Sequence, residues 1–524
     1  MAIGSAGGKE GSMTDTTTDA GGDAPTRAAA FSAIANYEGP PLGALFDAEP
    51  DRLERLVIED AGLRFDFSKT HLDTDLLEMF AALAQAVDLE GARRQLFAGA
   101  AINESEGRAA THVAERGAGA DADNQQAAAF RKRMRSLIDA IEGEAFGEVD
   151  AIVHIGIGGS VLGPALAVDA LGREGANVDL RFVANVDGEA MDEALIGLDP
   201  DTTLIVAVSK SFTTIETLTN MGAAIDWLEG AGVEDPYGRL IAVTANPEKA
   251  IEHGIDETRI LPFAESVGGR YSLWSAVGVS IAIALGFDRF EELLEGAAAM
   301  DRHFKLKPLT DNAPVVAAFG DLYYTRNRGA ETRAIFPYDE RLRLLPLYLQ
   351  QLVMESNGKT VGTDGEPIDG PTSAILWGGV GTDAQHAVFQ LLHQGSHLVP
   401  VEFIAVIENE DSQDPRQHRQ LLLNAFAQGA ALMAGRTSDE PARSYPGDRP
   451  STTILIDRLS ARRLGALIAF YEHRTFVEAT LLGINPYDQF GVELGKDMAR
   501  SIDDPETRED MDASTRALIE KAGL

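Results

Sequence analysis

Hydrophobic positions follow two patterns along this chain. Over residues 53–61, 72–87 and 125–141 they recur at helical spacing with few strand signals, which predicts an N-terminal helical region. From about residue 149 to 290 the pattern changes to short contiguous apolar runs, each emptying into a loop and then a helical stretch. The runs at 151–155, 178–185, 203–208 and 240–244 read as buried parallel strands, and their alternation with helices predicts a doubly wound sheet. Ligands of such sheets bind at the carboxyl ends of the strands. A second block repeats the plan, with strand-like segments at 334–338, 373–377 and 400–407 and helical ones at 342–356 and 385–392. A polar, proline-bearing loop at 437–451 precedes another strand or strand edge at 452–456, and residues 461–524 read as helices plus an arm.

The predicted fold class is therefore α/β: two doubly wound domains with parallel-sheet cores and a cleft between them, an N-terminal helical region and a C-terminal helical arm. The expected divisions are a disordered tail or expression remnant at 1–26, with Met13 a candidate natural start, then 27–115, 116–300, 301–470 and 471–524. No strict sequence repeat relates the two blocks.

Composition narrows the function. Lys+Arg 45 against Asp+Glu 82 gives a net charge of -37, which argues against nucleic acid as a partner. Cysteine is absent, so disulfides, a thiolate nucleophile and Cys-ligated metals are excluded. The chain has neither an apolar run of about twenty residues nor a basic-then-apolar leader, which predicts a cytoplasmic protein without membrane contact.

Two loops carry the first chemical signal. Gly156-Ile157-Gly158-Gly159-Ser160 follows the first run, and Ser209-Lys210-Ser211-Phe212-Thr213-Thr214 follows the third. Glycines let backbone approach an anion, helix N-termini offer unpaired N–H groups, and hydroxyls with one lysine complete a phosphate cradle. Either loop alone is equally a packing turn, and neither has Walker or dinucleotide spacing. In the second block, Gln351 and Glu355 lie four apart on an apolar helix that Asn357-Gly358 stops, placing both on one face. A partly desolvated carboxylate there suits general-base work, although a solvated helix-end glutamate fits the same local pattern. Gly381-Thr382-Asp383-Ala384-Gln385-His386 reads as a capped helix start with His386 in the first turn. A lone histidine is more often structural, and without His-Glu-x-x-His spacing no metal site is expected. Gln489 and Lys496 are seven apart and share a face if the intervening segment is helical, despite Gly491 and Gly495.

These stretches, together with Gly268-Gly269-Arg270-Tyr271-Ser272-Leu273-Trp274-Ser275, Met354-Glu355-Ser356-Asn357-Gly358-Lys359 and Asp488 to Lys496, resemble the glucose-6-phosphate isomerase family over nearly the whole chain after about residue 50. The resemblance implies two sugar-isomerase (SIS-type) domains and reversible interconversion of glucose 6-phosphate and fructose 6-phosphate through a cis-enediol, with no cofactor. It implies Glu355 as the proton shuttle, Arg270 as the stabiliser of the enediolate, and His386 with Lys496 as the ring-opening groups. Phosphate contacts fall on Ser209, Ser211 and Thr214 with Lys210 nearby; Gly159 and Ser160 line the adjoining sugar site, Gly269 belongs with Arg270, and Gln351 and Gln489 contact substrate. It also implies a homodimer in which the histidine reaches the neighbour's pocket. Departures are Ser211 for threonine, Ile215 for glutamine, Val161 at a commonly polar position and Asp383-Ala384 for Asn-Gly. A non-catalytic sugar-phosphate sensor, a secreted signalling role and an enzyme for a different sugar phosphate are the rival readings.

Overall fold

The computed structural model describes residues 26–173, 175–408 and 414–524, so nearly all of the expected 1–26 tail lies outside the described residues. The apolar runs become strands because their side chains can be buried on both faces: β3 (Ala151–Ile155), β5 (Thr203–Val208) and β6 (Leu240–Thr244) are buried at every position. With β4 (Asp179–Val183) and β7 (Ile260–Pro262) they form one all-parallel sheet in the order β4-β3-β5-β6-β7. Its connection reverses between β3 and β5, which opens a crevice at their carboxyl ends.

A second sheet contains β8 (Thr332–Tyr338), β9 (Ile375–Gly378), β10 (Val401–Glu408) and β11 (Ser451–Arg458), all parallel, with its own reversal between β8 and β10. It also takes in the hairpin β1 (Val57–Asp60) and β2 (Leu63–Asp66), whose second strand pairs antiparallel with β11. The helix expected at 53–61 thus ends at Leu56, and the N-terminal region is not purely helical. The pairing of Phe65 with Ile454 buries both side chains, a gain that local periodicity does not register.

The central helix Ala461–Leu482 is buried over almost its whole length and runs through the division expected at 470/471. The divisions expected at 115/116 and 300/301 likewise fall inside helical segments, His112–Arg116 and Phe287–Leu306. Ala461–Leu482 packs against Phe287–Leu306 at glycine contacts: a Cβ on Gly465 would lie 2.0 Å from the Leu293 carbonyl oxygen, and one on Gly296 1.8 Å from that of Arg462. Charges buried at this crossing are paired. Arg116 grips Asp301 through two nitrogens at 2.7 and 2.8 Å and also binds Glu472, whose other oxygen accepts from Trp274 Nε1 at 2.7 Å. Among the described residues no helix is long and apolar enough to cross a membrane.

Candidate active site

The first reversal point is built from glycines that bring backbone to backbone. Gly158 has φ 57°, and a Cβ there would sit 2.6 Å from Gln351 Nε2; a Cβ on Gly159 would lie 2.1 Å from the Gly269 carbonyl oxygen. The loop after β3, the 3₁₀ turn Gly269–Trp274 and the Gln351 side chain therefore meet without side chains between them. His154, a histidine inside an apolar strand, holds the loop from beneath. Burial pushes it down to about 4, so the ring is neutral at neutral pH; Nε2 donates to the Ser160 carbonyl at 2.7 Å, which leaves Nδ1 to accept from Ser280 at 2.8 Å.

After β5, the Ser209 hydroxyl accepts the Phe212 N–H at 3.1 Å and lies 3.0 Å from Thr214 Oγ1, while Ser211 and Thr213 hydroxyls are 2.7 Å apart. Phe212 takes φ 53°, a left-handed conformation costly to a non-glycine residue, and its fully buried ring anchors the turn. The half-buried Lys210 is pushed down to about 8, first by burial and then by Arg108; Glu106 and Glu265 oppose this, and Arg270 adds to it. That mutual influence places the cradle's cation in the field of Arg270.

The second half is a cleft of about 1180 Å³ lined by Gln351, Glu355, Lys359, Asp488 and Gln489 among others. The helix beginning at Leu345–Leu349 widens over Gln350–Glu355 into a π-turn, a distortion frequent at functional sites. Glu355 stands at its end with its side chain 21% exposed, 3.4 Å from an Arg270 nitrogen. Arg270 is buried and saturated: Nε donates to Ser356 at 2.7 Å, and the two terminal nitrogens reach Gln489 Oε1 at 3.0 Å and the carbonyls of Pro486 at 2.5 Å and Asp488 at 3.0 Å. Lys359, one turn past Glu355, donates to the Glu355 carbonyl at 3.0 Å and the Asp488 carbonyl at 2.9 Å, and its ammonium lies 3.1 Å from the Asp488 carboxylate. Burial lowers its pKa, and the neighbouring Asp488 opposes that shift. Ser105 caps Asp488 from the far side at 2.6 Å. The resulting group is a carboxylate beside a fixed guanidinium at the wall of an open cleft, an arrangement able to move a proton and stabilise an adjacent oxyanion.

Gly159, Ser160, Ser209, Lys210, Ser211, Thr214, Gly269, Arg270, Gln351, Glu355 and Gln489 thus gather around the junction of β3, β5 and the π-turn. His386 and Lys496 do not. His386 is exposed in the first turn of Asp383–Gln394, and Lys496 is exposed on Glu493–Asp503, which begins only after Gln489 and Gly491. Gln489 and Lys496 accordingly do not share a helical face. Reading the sequence alone missed Ser356 and Asp488 as anchors of Arg270 and Lys359; a usable signal was the lysine four positions after Glu355.

The family model described as Phosphoglucose isomerase matches residues 66–519. A curated "Glucose-6-phosphate isomerase" of Rhizorhabdus wittichii is 63% identical over 494 residues, covering 94% of this chain and 99% of that protein. One of Zymomonas mobilis with the same name is 58% identical, covering 94% and 97% respectively. Among solved structures, a glucose-6-phosphate isomerase from Chlamydia trachomatis superposes with a TM-score of 0.85 at 30% identity, covering 95% of this chain and 98% of that one.

Proposed function

The chain belongs to the phosphoglucose isomerase family and reversibly interconverts glucose 6-phosphate and fructose 6-phosphate, and we propose that Glu355 is the base that carries the proton. The observation that supports this role most directly is the 3.4 Å approach of the Glu355 carboxylate to the buried, fully bonded Arg270. Glu355 takes the proton from C2 of the open-chain aldose and returns it to C1, or the reverse, through a cis-enediol. Arg270 stabilises the negative charge that builds on the enediolate oxygen; it is fixed in place beforehand, so little reorganisation is needed. Lys359 holds the Glu355 main chain, and Gln351 and Gln489 orient the sugar hydroxyls. Ser209, Ser211 and Thr214 bind the phosphate with Lys210 beside them, while Gly159 and Ser160 border the sugar.

The cyclic sugar has no free carbonyl, so ring opening precedes enolisation. We assign it to His386 and Lys496. Both are exposed in the single chain, which is compatible with a homodimer whose second copy brings His386 to the cleft. Turnover of fructose 6-phosphate coupled to a glucose-6-phosphate dehydrogenase tests the assignment. The account requires Glu355→Gln to bind sugar phosphate yet lose turnover, whereas an active Glu355→Gln refutes the base.

A further inference from the structure

Two arginines and three acidic side chains meet in the core between the second sheet and the central helix, and none of them lines the catalytic cleft. Arg333 lies on β8, Glu402 on β10, Asp321 on the helix Ala313–Arg326, and Arg474 and Glu478 on the central helix Ala461–Leu482. Their side chains are between 2% and 11% exposed. Arg474 grips Asp321 through Nε at 2.5 Å and Nη2 at 2.6 Å, and donates through Nη1 at 2.7 Å to Glu402, which also accepts from the Tyr471 hydroxyl. Arg333 donates to Asp321 through Nη1, and the same nitrogen lies 3.4 Å from Glu478; its other two nitrogens are buried without a partner.

Two guanidiniums thus face three carboxyl groups in the core, an imbalance that protonation of one carboxyl removes. Geometry selects the bearer. Asp321 accepts from both arginines and Glu402 from Arg474 and Tyr471, whereas Glu478 has only Arg333 at 3.4 Å and Arg474 at 3.7 Å for cations. Asp321 and Glu478 also hydrogen-bond to each other, which two carboxyl groups can do only with a proton between them. Burial and then Asp321 push the Glu478 carboxyl above the ordinary carboxylate range, against the pull of Arg333 and Arg474.

Glu478 also reaches the catalytic helix. Its Oε2 accepts from Asn357 Nδ2 at 3.0 Å, and the same amide donates at 3.2 Å to the carbonyl of Thr475, three residues earlier on the central helix. Asn357 is fully buried, two residues after Glu355 and one after Ser356, whose hydroxyl accepts from Arg270 Nε. The helix end that carries both the base and an anchor of the oxyanion partner is therefore tied to the central helix by that amide. We propose that Glu478 is a positioning residue for the isomerisation, a neutral carboxylic acid that fixes Asn357 and through it Glu355 and Ser356, an inference that rests on Glu355 as the base. A neutral acid accepts from Asn357 with one oxygen and donates to Asp321 with the other, whereas a carboxylate would repel Asp321.

Turnover and thermal unfolding of Glu478→Gln, Glu478→Leu and Asn357→Ala test this. Glutamine keeps an acceptor for Asn357 and a donor for Asp321, so Glu478→Gln should match wild type in kcat and, at about pH 6, in Tm. A carboxyl raised in the folded state stabilises at low pH and ceases to do so as pH rises through its folded value. Between about pH 6 and 10 the Tm of wild type should therefore fall further than that of Glu478→Gln, whose amide does not titrate. Glu478→Leu and Asn357→Ala break the link and should lower kcat about tenfold or more, with KM within about twofold of wild type. Asn357→Ala reads the link even where Glu478→Leu fails to fold. The proposal is overturned if Asn357→Ala turns over at the wild-type kcat, or if Glu478→Gln is destabilised over the whole pH range, as loss of a charged partner of Arg333 would make it. Glu355→Gln in the same assay decides the base by itself, and the Tm comparison decides the Glu478 proton without reference to it.

Discussion

The two halves of the catalytic cleft are held in different ways. Around Glu355, the cations are tied to buried structure: Arg270 spends its nitrogens on Ser356, Gln489 and two carbonyls, and Lys359 clamps the backbone of the base itself. In the loop after β5, the hydroxyls of Ser209, Ser211, Thr213 and Thr214 bond mainly to one another, and Ser211 is exposed. The first half is fixed before substrate arrives; the second can rearrange its hydrogen bonds around an incoming phosphate. Preorganised charge lowers a barrier, whereas adaptable hydroxyls bind a handle. The difference predicts that mutations in the first half act on kcat and mutations in the second on KM.

The largest effect is expected from Glu355→Gln, which keeps the shape and removes the base: kcat should fall on the order of 10²–10⁴-fold with KM little changed, measured by the coupled assay. Beneath that half, Arg116→Met takes the guanidinium away from the buried Asp301 and Glu472, leaving them only His473 and Trp274, and should cost about 3–5 kcal/mol of stability in denaturant unfolding. Arg270→Met should lower kcat about 10²–10³-fold, as loss of an oxyanion partner does elsewhere. If either cleft mutation raised KM alone, the distinction between the halves would collapse.

For the cradle, pH is the sharper probe. Lys210 sits near 8 in the free protein, so its ammonium is present below that pH and lost as pH rises through it. Phosphate binding favours the charged form, so KM should be flat below about pH 8 and rise above it. Lys210→Arg keeps its charge over the whole range and should flatten that rise. The smallest effect is Ser211→Ala, which removes one hydroxyl donor to a charged group and should raise KM about tenfold with kcat nearly unchanged.

The same division governs what could be read from the sequence. Most buried strands of both sheets were legible because burial on both faces forces contiguous apolar runs, and the expected 203–208 and 240–244 coincide with β5 and β6; the three-residue edge strand β7 was too short to stand out. The hydroxyl-rich loop after β5 was legible because it is local: Ser209 to Thr214 are neighbours in sequence. The hairpin β1–β2 was not, since its strand partner β11 comes from the far end of the chain. Nor were the anchors of Arg270, because Ser356 and Asp488 approach it from segments 86 and 218 residues away. The helix expected to join Gln489 to Lys496 starts only at Glu493, after a separate 3₁₀ turn over Phe490–Val492. The sequence-based grouping of His386 and Lys496 with Glu355 rested on resemblance; in the single chain both are exposed and neither is among the residues lining the cleft beside Glu355.

The role of Glu355 is tested most directly by isotope exchange. Incubating glucose 6-phosphate with the protein in deuterium oxide and following C2 and C1 by NMR reads proton abstraction itself, apart from ring opening and product release. The account predicts deuterium entering the sugar at C1 and C2 with wild type and none with Glu355→Gln, although the variant still binds sugar phosphate. Deuterium incorporation by Glu355→Gln at the wild-type rate would contradict it.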